Sequence, residues 1–183
     1  MSPVGDIKIR WDVDKMCGDF VWGNNDLETD NGLVNAVLVS IFTDKRARPD
    51  QRRPDPGDED LRGYWGDTYS MVKNDPCGSH LWLLFREKTE LKVIPRCEQY
   101  VRESVQWLID DGVVSRIDVF AERQGDVGND RLAFRVRVYR DDDVIDMLFS
   151  ALWDGTFSVL TIVVADYAFI DTEAPTGVVL TPI

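Results

Sequence analysis

IPRCEQYVRESVQWLIDDGVVSRIDVFA, residues 94–121, changes its period once, and that change decides the fold class. Up to Leu108 the apolar residues recur at three- and four-residue spacing: Ile94, Cys97, Val101, Val105 and Leu108, with Ser104 among them. That spacing lines one face of a helix, which must be buried. Pro95 fits the first turn, where its missing N–H costs nothing. Asp110, Asp111 and Gly112 close the helix, with Gly112 placed to take the left-handed conformation at its end. From Ile117 the period falls to two, since Ile117, Val119 and Ala121 alternate with other residues as a half-buried strand does.

C-terminal to this stretch, Leu132, Phe134, Val136 and Val138 alternate in the same way beyond a turn at Gly125–Asp130. Asp141–Asp143 read as a second turn, followed by Val144–Leu152 and by a β-branched run from Thr156 to Ala165. On the N-terminal side, Ile7, Ile9 and Trp11 alternate with Lys8 and Arg10, and Phe20–Trp22 return beside them as a hairpin. Asp30 or Asn31 is placed to cap a helix with an apolar stripe of Leu33, Val34, Val37, Leu38 and Ile41, which ends near Asp44. Residues 45–79 hold Pro49, Pro54, Pro56, Gly57, Gly63, Gly66, Pro76 and Gly78, too many breakers for a regular element. Loops beyond roughly 15 residues are functional or disordered as a rule, and Tyr64, Trp65 and Tyr69 argue that this one packs on something. An apolar run, His80–Glu87, leads into the second helix.

Helices early and strands late predict an α+β class: a single domain with two main helices packed on an antiparallel sheet. The domain is expected over residues 1–165, including the long loop 45–79. Residues 166–183 are apolar but broken by Pro175, Gly177 and Pro182, and are expected to be a C-terminal extension that docks on a partner.

The 183 residues suffice for one core. Lys and Arg number 21 against 33 Asp and Glu, a net charge of -12, which repels phosphate backbones and anionic lipid. Neither nucleic acid nor membrane is an expected partner. The start of the chain lacks the apolar stretch of a signal peptide, which predicts a protein made in a cytoplasm that stays there or in a particle. Cys17, Cys77 and Cys97 form no CxxC pair and read as reduced thiols. Lys45, Arg46, Arg48, Arg52 and Arg53 read as a solvated stretch balancing the acidic Asp55–Asp60.

Motifs for catalysis are sparse. His80, the single histidine, precedes Leu81 and Trp82 and reads as packing. Ser70 and Lys73 spell SxxK, but among loop breakers and without its companion motifs. Glu98, Asp110 and Asp111 carry carboxylates without the facing geometry that a glycosidase needs. The clusters Asp58–Asp60 and Asp141–Asp143 lack EF-hand spacing and read as turn chemistry. No catalytic residue, metal site or cofactor is expected, and the protein reads as no enzyme. Six tryptophans are present, and Trp and Arg are enriched at interface hot spots.

Three strings carry a resemblance: LETDNGLVNAVLVSIFTDKRA at 27–47, RGYWGD at 62–67 and GSHLWLLFREK at 78–88, continued by WLIDDG at 107–112. In order and spacing they are similar to the small baseplate wedge, or sheath-initiator, proteins of Mu-like contractile-tailed phages, over roughly residues 6–140. The resemblance implies a fold like the handshake domain of the tail sheath subunit. It also implies a virion protein of the tail baseplate, assembled in the host bacterial cytoplasm, that links wedge proteins to the first sheath ring and initiates sheath assembly. Its expected partners are the sheath protein and larger wedge proteins, with hub or tube proteins next in reach. One copy per wedge of a sixfold baseplate gives about six copies. The wider group carries Glu-Pro-Arg after its main helix, where this chain reads DDGVVSRI at 110–117 and keeps Arg116 alone. Expected interaction residues are Arg62 and Trp65 in the loop, Arg116 after the helix, and Phe157, Val159, Thr161 and Val163 in strand pairing with the sheath. Two other functions stay open at this point: a peptidoglycan-cleaving tail enzyme, and a soluble adaptor outside any virion.

Overall fold

The register of the C-terminal strands sets the architecture. In the computed structural model, which describes residues 5–12, 17–23, 25–30, 32–55, 57–70, 72, 75–84, 92–124, 131–140, 143–152 and 157–166, four long strands form one antiparallel meander. They are Arg116–Gln124, Arg131–Arg140, Asp143–Leu152 and Phe157–Asp166. Six short N-terminal strands precede them in the chain, so these four are β7, β8, β9 and β10, in the spatial order β10-β9-β8-β7. Val119 lies opposite Val136 and Val136 opposite Met147, while Ile117, Val138 and Ile145 form a second such row. Alternation thus stacks one buried row per two residues on the inner face. The outer face carries Arg135, Arg137 and Asp146, with Arg137 Nη2 donating to Asp146 at 2.7 Å.

Two helices cover the inner face. α1 spans Leu33–Phe42 and α2 spans Val93–Val105, followed after Gln106 by the single turn α3, Trp107–Asp110. Leu33, Val37 and Ile41 of α1 and Cys97, Val101 and Val105 of α2 meet Leu108, Phe134, Val136 and Met147 in one core. Each fully buried side chain of this kind contributes roughly 1.5–3 kcal/mol. The α+β expectation, with two main helices on an antiparallel sheet, therefore holds. Gly112 takes φ 69° as expected, and the N–H of Val113 returns to Leu108 O at 2.9 Å.

The start of α1 differs from the expectation. Its N-cap is Gly32 at φ 74°, without a side-chain cap, and Asp30 instead pairs with Asp6. The chain leaves a strand and enters a helix within two residues, and the left-handed turn this requires favours glycine over a capping side chain. Asn31 lies outside the described residues. The N-terminal hairpin is present as β2, Ile9–Asp12, paired with β3, Cys17–Phe20. It belongs to a junction of three ribbons. Asp6–Ile7, as β1, pairs with Thr29–Asp30, as β6, and Trp22–Gly23, as β4, pairs with Asp26–Leu27, as β5. At its centre Lys8 N donates to Glu28 O, Glu28 N to Val21 O and Val21 N to Lys8 O, at 2.8–3.2 Å. This closed cycle satisfies three backbone pairs where no two strands could continue side by side.

Among its described residues, the long loop 45–79 holds neither α-helix nor strand. Its ends are tied together: Lys45 N donates to Ser79 O and Ser79 N to Thr43 O, each at 2.9 Å. Within the apolar run after it, Leu81–Leu84 form a buried single turn, and residues 85–91 lie outside the described residues. A small satellite core of Ala47, Trp82 and Leu83, with Leu61 and Tyr100 against it, fixes the loop base to α2. His80 is part of this base. Its Nε2 lies 3.2 Å from Arg46 O, and burial pushes its pKa below the ordinary value, as expected for a packing role.

Candidate functional site

Arg62 sits at the loop base and is held from several sides. Its Nη1 donates to Asp44 Oδ2 at 2.7 Å, its guanidinium lies 4.4 Å over the ring of buried Trp82, and its own N–H bonds Asp60 Oδ1 at 2.8 Å. Its φ of 53° is left-handed, which a non-glycine residue adopts only when its surroundings demand it. Arg62 thus clamps the loop to the domain. Trp65 opens a short turn, Trp65–Tyr69, and is 73% exposed. Its ring lies 5.4 Å from that of Tyr64 and 6.4 Å from that of Tyr69, and Tyr69 and Val72 are also exposed. The loop therefore offers an aromatic tip on a fixed base, the arrangement of an interface anchor held in place before binding.

Arg116 lies on the outer face of the sheet, away from the loop. Its guanidinium chelates Asp118, reaches the Tyr139 hydroxyl at 3.2 Å and stacks 4.4 Å over that ring. The Arg116 hydrogen bonds hold the Asp118 carboxyl below the usual carboxylate range, with the Tyr139 hydroxyl helping, against a modest opposing effect of burial. Arg116 and its ring partner lie 23 positions apart in sequence, so the cluster is visible only through the β7–β8 pairing of Arg116 with Tyr139.

The two edges of the sheet differ. At β7, Glu98 Oε1 on α2 accepts the N–H of Ala121 at 2.9 Å, and Arg102 Nη2 approaches Val119 O at 3.5 Å. Side chains of α2 thereby meet two polar groups of that edge, at Val119 and Ala121. Glu98, one of the carboxylates weighed above for acid–base chemistry, is committed to this bond. At the opposite edge β10 is 10 residues long, and among the described residues β9 is its one ladder partner. Its sequence, FSVLTIVVAD, holds no charge before Asp166, the composition of an edge that another strand can join. Phe157 and Val159 lie opposite Ala151 and Phe149, whereas Thr161 and Val163 lie opposite Leu148 and Asp146. The register shift between Val159 and Thr161 therefore puts the two pairs at positions of opposite parity. The four expected residues share a strand but not one unbroken alternation.

Among the described residues, no group of three His, Cys, Asp or Glu side chains is placed to hold a metal ion. The structure does not bring the expected residues into one site: it gives a loop tip, a sheet-face cluster and an edge strand. Not foreseen from the sequence are the roles of Asp44 and Trp82, which hold Arg62, and of Glu98 and Arg102, which meet polar groups of β7. For the three charged residues the available signal is their charge within amphipathic or loop context, and it names no partner.

Two relatives align with the chain. The baseplate protein gp46 of Escherichia phage Mu is 41% identical over 118 residues, 64% of this chain and 77% of its own length. The Mu-like prophage FluMu protein gp46 of Haemophilus influenzae is 35% identical over 120 residues, 64% of this chain and 76% of its own length. The family model described as phage protein GP46 matches residues 33–144, from the first residue of α1 to the start of β9. With more than half of its length matched, including both helices, the loop and the first two long strands, the chain belongs to the phage protein GP46 family.

Proposed function

We propose that this protein is a structural subunit of a Mu-like phage baseplate that links wedge proteins to the first sheath ring and initiates sheath assembly by strand addition at β10. One observation carries the reading: Glu98 and Arg102 of α2 meet polar groups of the β7 edge, while the β10 edge, uncharged before Asp166, has no second ladder partner among the described residues. Strand addition draws affinity from main-chain hydrogen bonds and register from alternate side chains. The bulge between Val159 and Thr161 fixes that register, because a one-residue slip would reverse every position beyond it. The kinship with Mu gp46, named a baseplate protein, supports the setting.

In this role the Trp65 tip contacts a wedge protein, Arg62 keeps the tip in place, and Arg116 makes a polar contact from the sheet face. Residues 1–165 are the baseplate domain, related in fold to the sheath handshake domain, and residues 166–183 extend it toward the partner. The protein resides in the virion tail after assembly in the host cytoplasm, one copy per wedge. Its work is assembly and not catalysis. Hydrogen exchange of the full chain with and without the sheath subunit of the same phage tests this. The amides of residues 157–166 gain protection in the complex and those of β7 do not. Unchanged exchange across residues 157–166 in a formed complex refutes strand addition at β10.

A further inference from the structure

The N-terminal ribbons meet at Lys8, Val21 and Glu28, and alternation along each strand fixes what either side of that junction carries. Lys8 and Glu28 share one side, where Lys8 Nζ donates to Glu28 Oε2 at 3.1 Å. Their chain neighbours therefore project to the other. Ile7 and Ile9 flank Lys8, Phe20 and Trp22 flank Val21, and Leu27 and Thr29 flank Glu28. The register agrees, because Ile7 lies opposite Thr29, Ile9 opposite Phe20 and Trp22 opposite Leu27, and residues paired in this way project to the same side. Three ribbons thus bring five large apolar side chains and one threonine onto a single uncharged plate.

The plate is open: Trp22 is 71% exposed, Phe20 52%, Ile9 39% and Ile7 37%. The domain meets the reverse side, where Asp6, which alternates with Ile7, accepts from Nδ2 of the buried Asn35 at 3.1 Å. The apolar area left exposed is on the order of 400 Å², the size at which a contiguous patch marks an interaction surface. Size and charge select its occupant. A stable dimer covers roughly 800 Å² per partner, about twice the plate, and each copy carries a net charge of -12, so both terms disfavour a second copy. The same charge repels anionic lipid. Residues 5–30 hold seven Asp and Glu against three Lys and Arg. Asp19, Asp26 and Glu28 project from the reverse of a single layer, within a Debye length of about 8 Å of the plate. An apolar surface bordered by Lys or Arg complements both features.

We infer that this plate docks on an apolar patch rimmed by Lys or Arg on another protein of the baseplate, with Trp22 as the anchor. The inference rests on the structural-subunit reading for where the partner is found, and not on strand addition at β10. A contact of this size is weak alone and gains strength beside other contacts of the same subunit. The ribbons precede Leu33, where the family match begins, so the contact belongs to the part of the chain N-terminal to that match.

The test compares the full chain with a variant carrying Ile9→Thr and Trp22→Thr, since threonine keeps the strand preference while removing apolar surface. Amide protection at Lys8, Val21 and Glu28 reports whether the ribbons stay intact, and Trp22→Gln alone replaces the double variant if that protection is lost. Binding to each purified wedge, hub, tube and sheath protein of the same phage is measured at about 0.05 and 0.5 M salt. For one of these proteins the variant binds about tenfold more weakly, and higher salt weakens the parent. Fluorine NMR of the fluorotryptophan-labelled parent shows the Trp22 resonance, assigned by its loss in the variant, shifting on addition of that protein. An intact variant with the parent's affinity for every one of them, or parent binding that salt leaves unchanged, overturns the plate alone. A parent that sediments as a dimer which the variant loses makes the occupant a second copy and overturns it too. A parent that binds none of these proteins overturns both this inference and the baseplate reading.

Discussion

Replacing Arg62 by alanine removes two contacts at once and leaves a strained backbone behind. The ion pair with Asp44 is short, at 2.7 Å, but its side chains are 34% and 40% exposed, so solvent screens it to about 0.5–1 kcal/mol. The guanidinium over Trp82 sits on a buried ring at 4.4 Å and contributes about 1 kcal/mol more. Arg62→Ala should thus cost about 2 kcal/mol, a fall in Tm of roughly 4–8 °C for a chain of this size. Arg62→Gly loses the same contacts but relieves the left-handed φ of 53°, a gain of about 1 kcal/mol that offsets the larger entropy of glycine in the unfolded chain. Glycine should therefore be no less stable than alanine here, the reverse of their order in a helix. Urea unfolding followed by tryptophan fluorescence reports both, with the m-value checked for constancy. An Arg62→Ala variant within about 0.5 kcal/mol of the parent, or a glycine variant clearly below the alanine one, refutes the clamp.

Other sites give sharper or simpler outcomes. A Cβ on Gly78 would lie 2.3 Å from Thr43 O at a φ of +101°, so Gly78→Ala should cost about 3 kcal/mol by thermal unfolding, and a loss below about 1 kcal/mol contradicts the packed loop base. Because the Asp118 pKa is lowered in the folded state by Arg116, its contribution is present above the unfolded carboxylate range and is lost as pH falls through the folded value. Asp118→Asn should flatten the acid limb of a stability-versus-pH curve, and an acid limb as steep as the parent's counts against the cluster. Burial, with Glu98 nearby, pushes the Cys97 thiol up to about 12, so an alkylating reagent at pH near 8 should modify half-buried Cys77 well before Cys97. Peptide mapping that finds equal rates contradicts the packed α2 face.

Where a pattern repeats, the residues announced the fold. Cys97, Val101, Val105 and Leu108 mark α2 and its continuation, and the alternation from Ile117 and from Leu132 marks β7 and β8, because burial on one face forces the period. The junction around Lys8, Val21 and Glu28 was legible only as a hairpin. Its strands of two residues are too short to show a period, and its bonds join positions far apart in the chain. Asp30 and Asn31 are good caps and favour a side-chain cap for α1, but the turn out of β6 places a left-handed glycine there. At the candidate sites, exposure of Trp65 and the strand character of Phe157–Val163 followed from composition. What holds Arg62 depends on residues 18 and 20 positions away, and no local signal encodes it. Asn35 was hidden within an apolar stripe, although a lone amide there always raises the question of its partners.

The most direct measurement is a pull-down of the purified full-length chain with the sheath subunit and wedge proteins of its own phage, beside the same chain lacking residues 166–183. The account predicts that the full-length protein captures the sheath subunit and that truncation leaves a folded domain with weaker capture. A folded full-length chain that captures neither sheath nor wedge proteins under assembly conditions would contradict it.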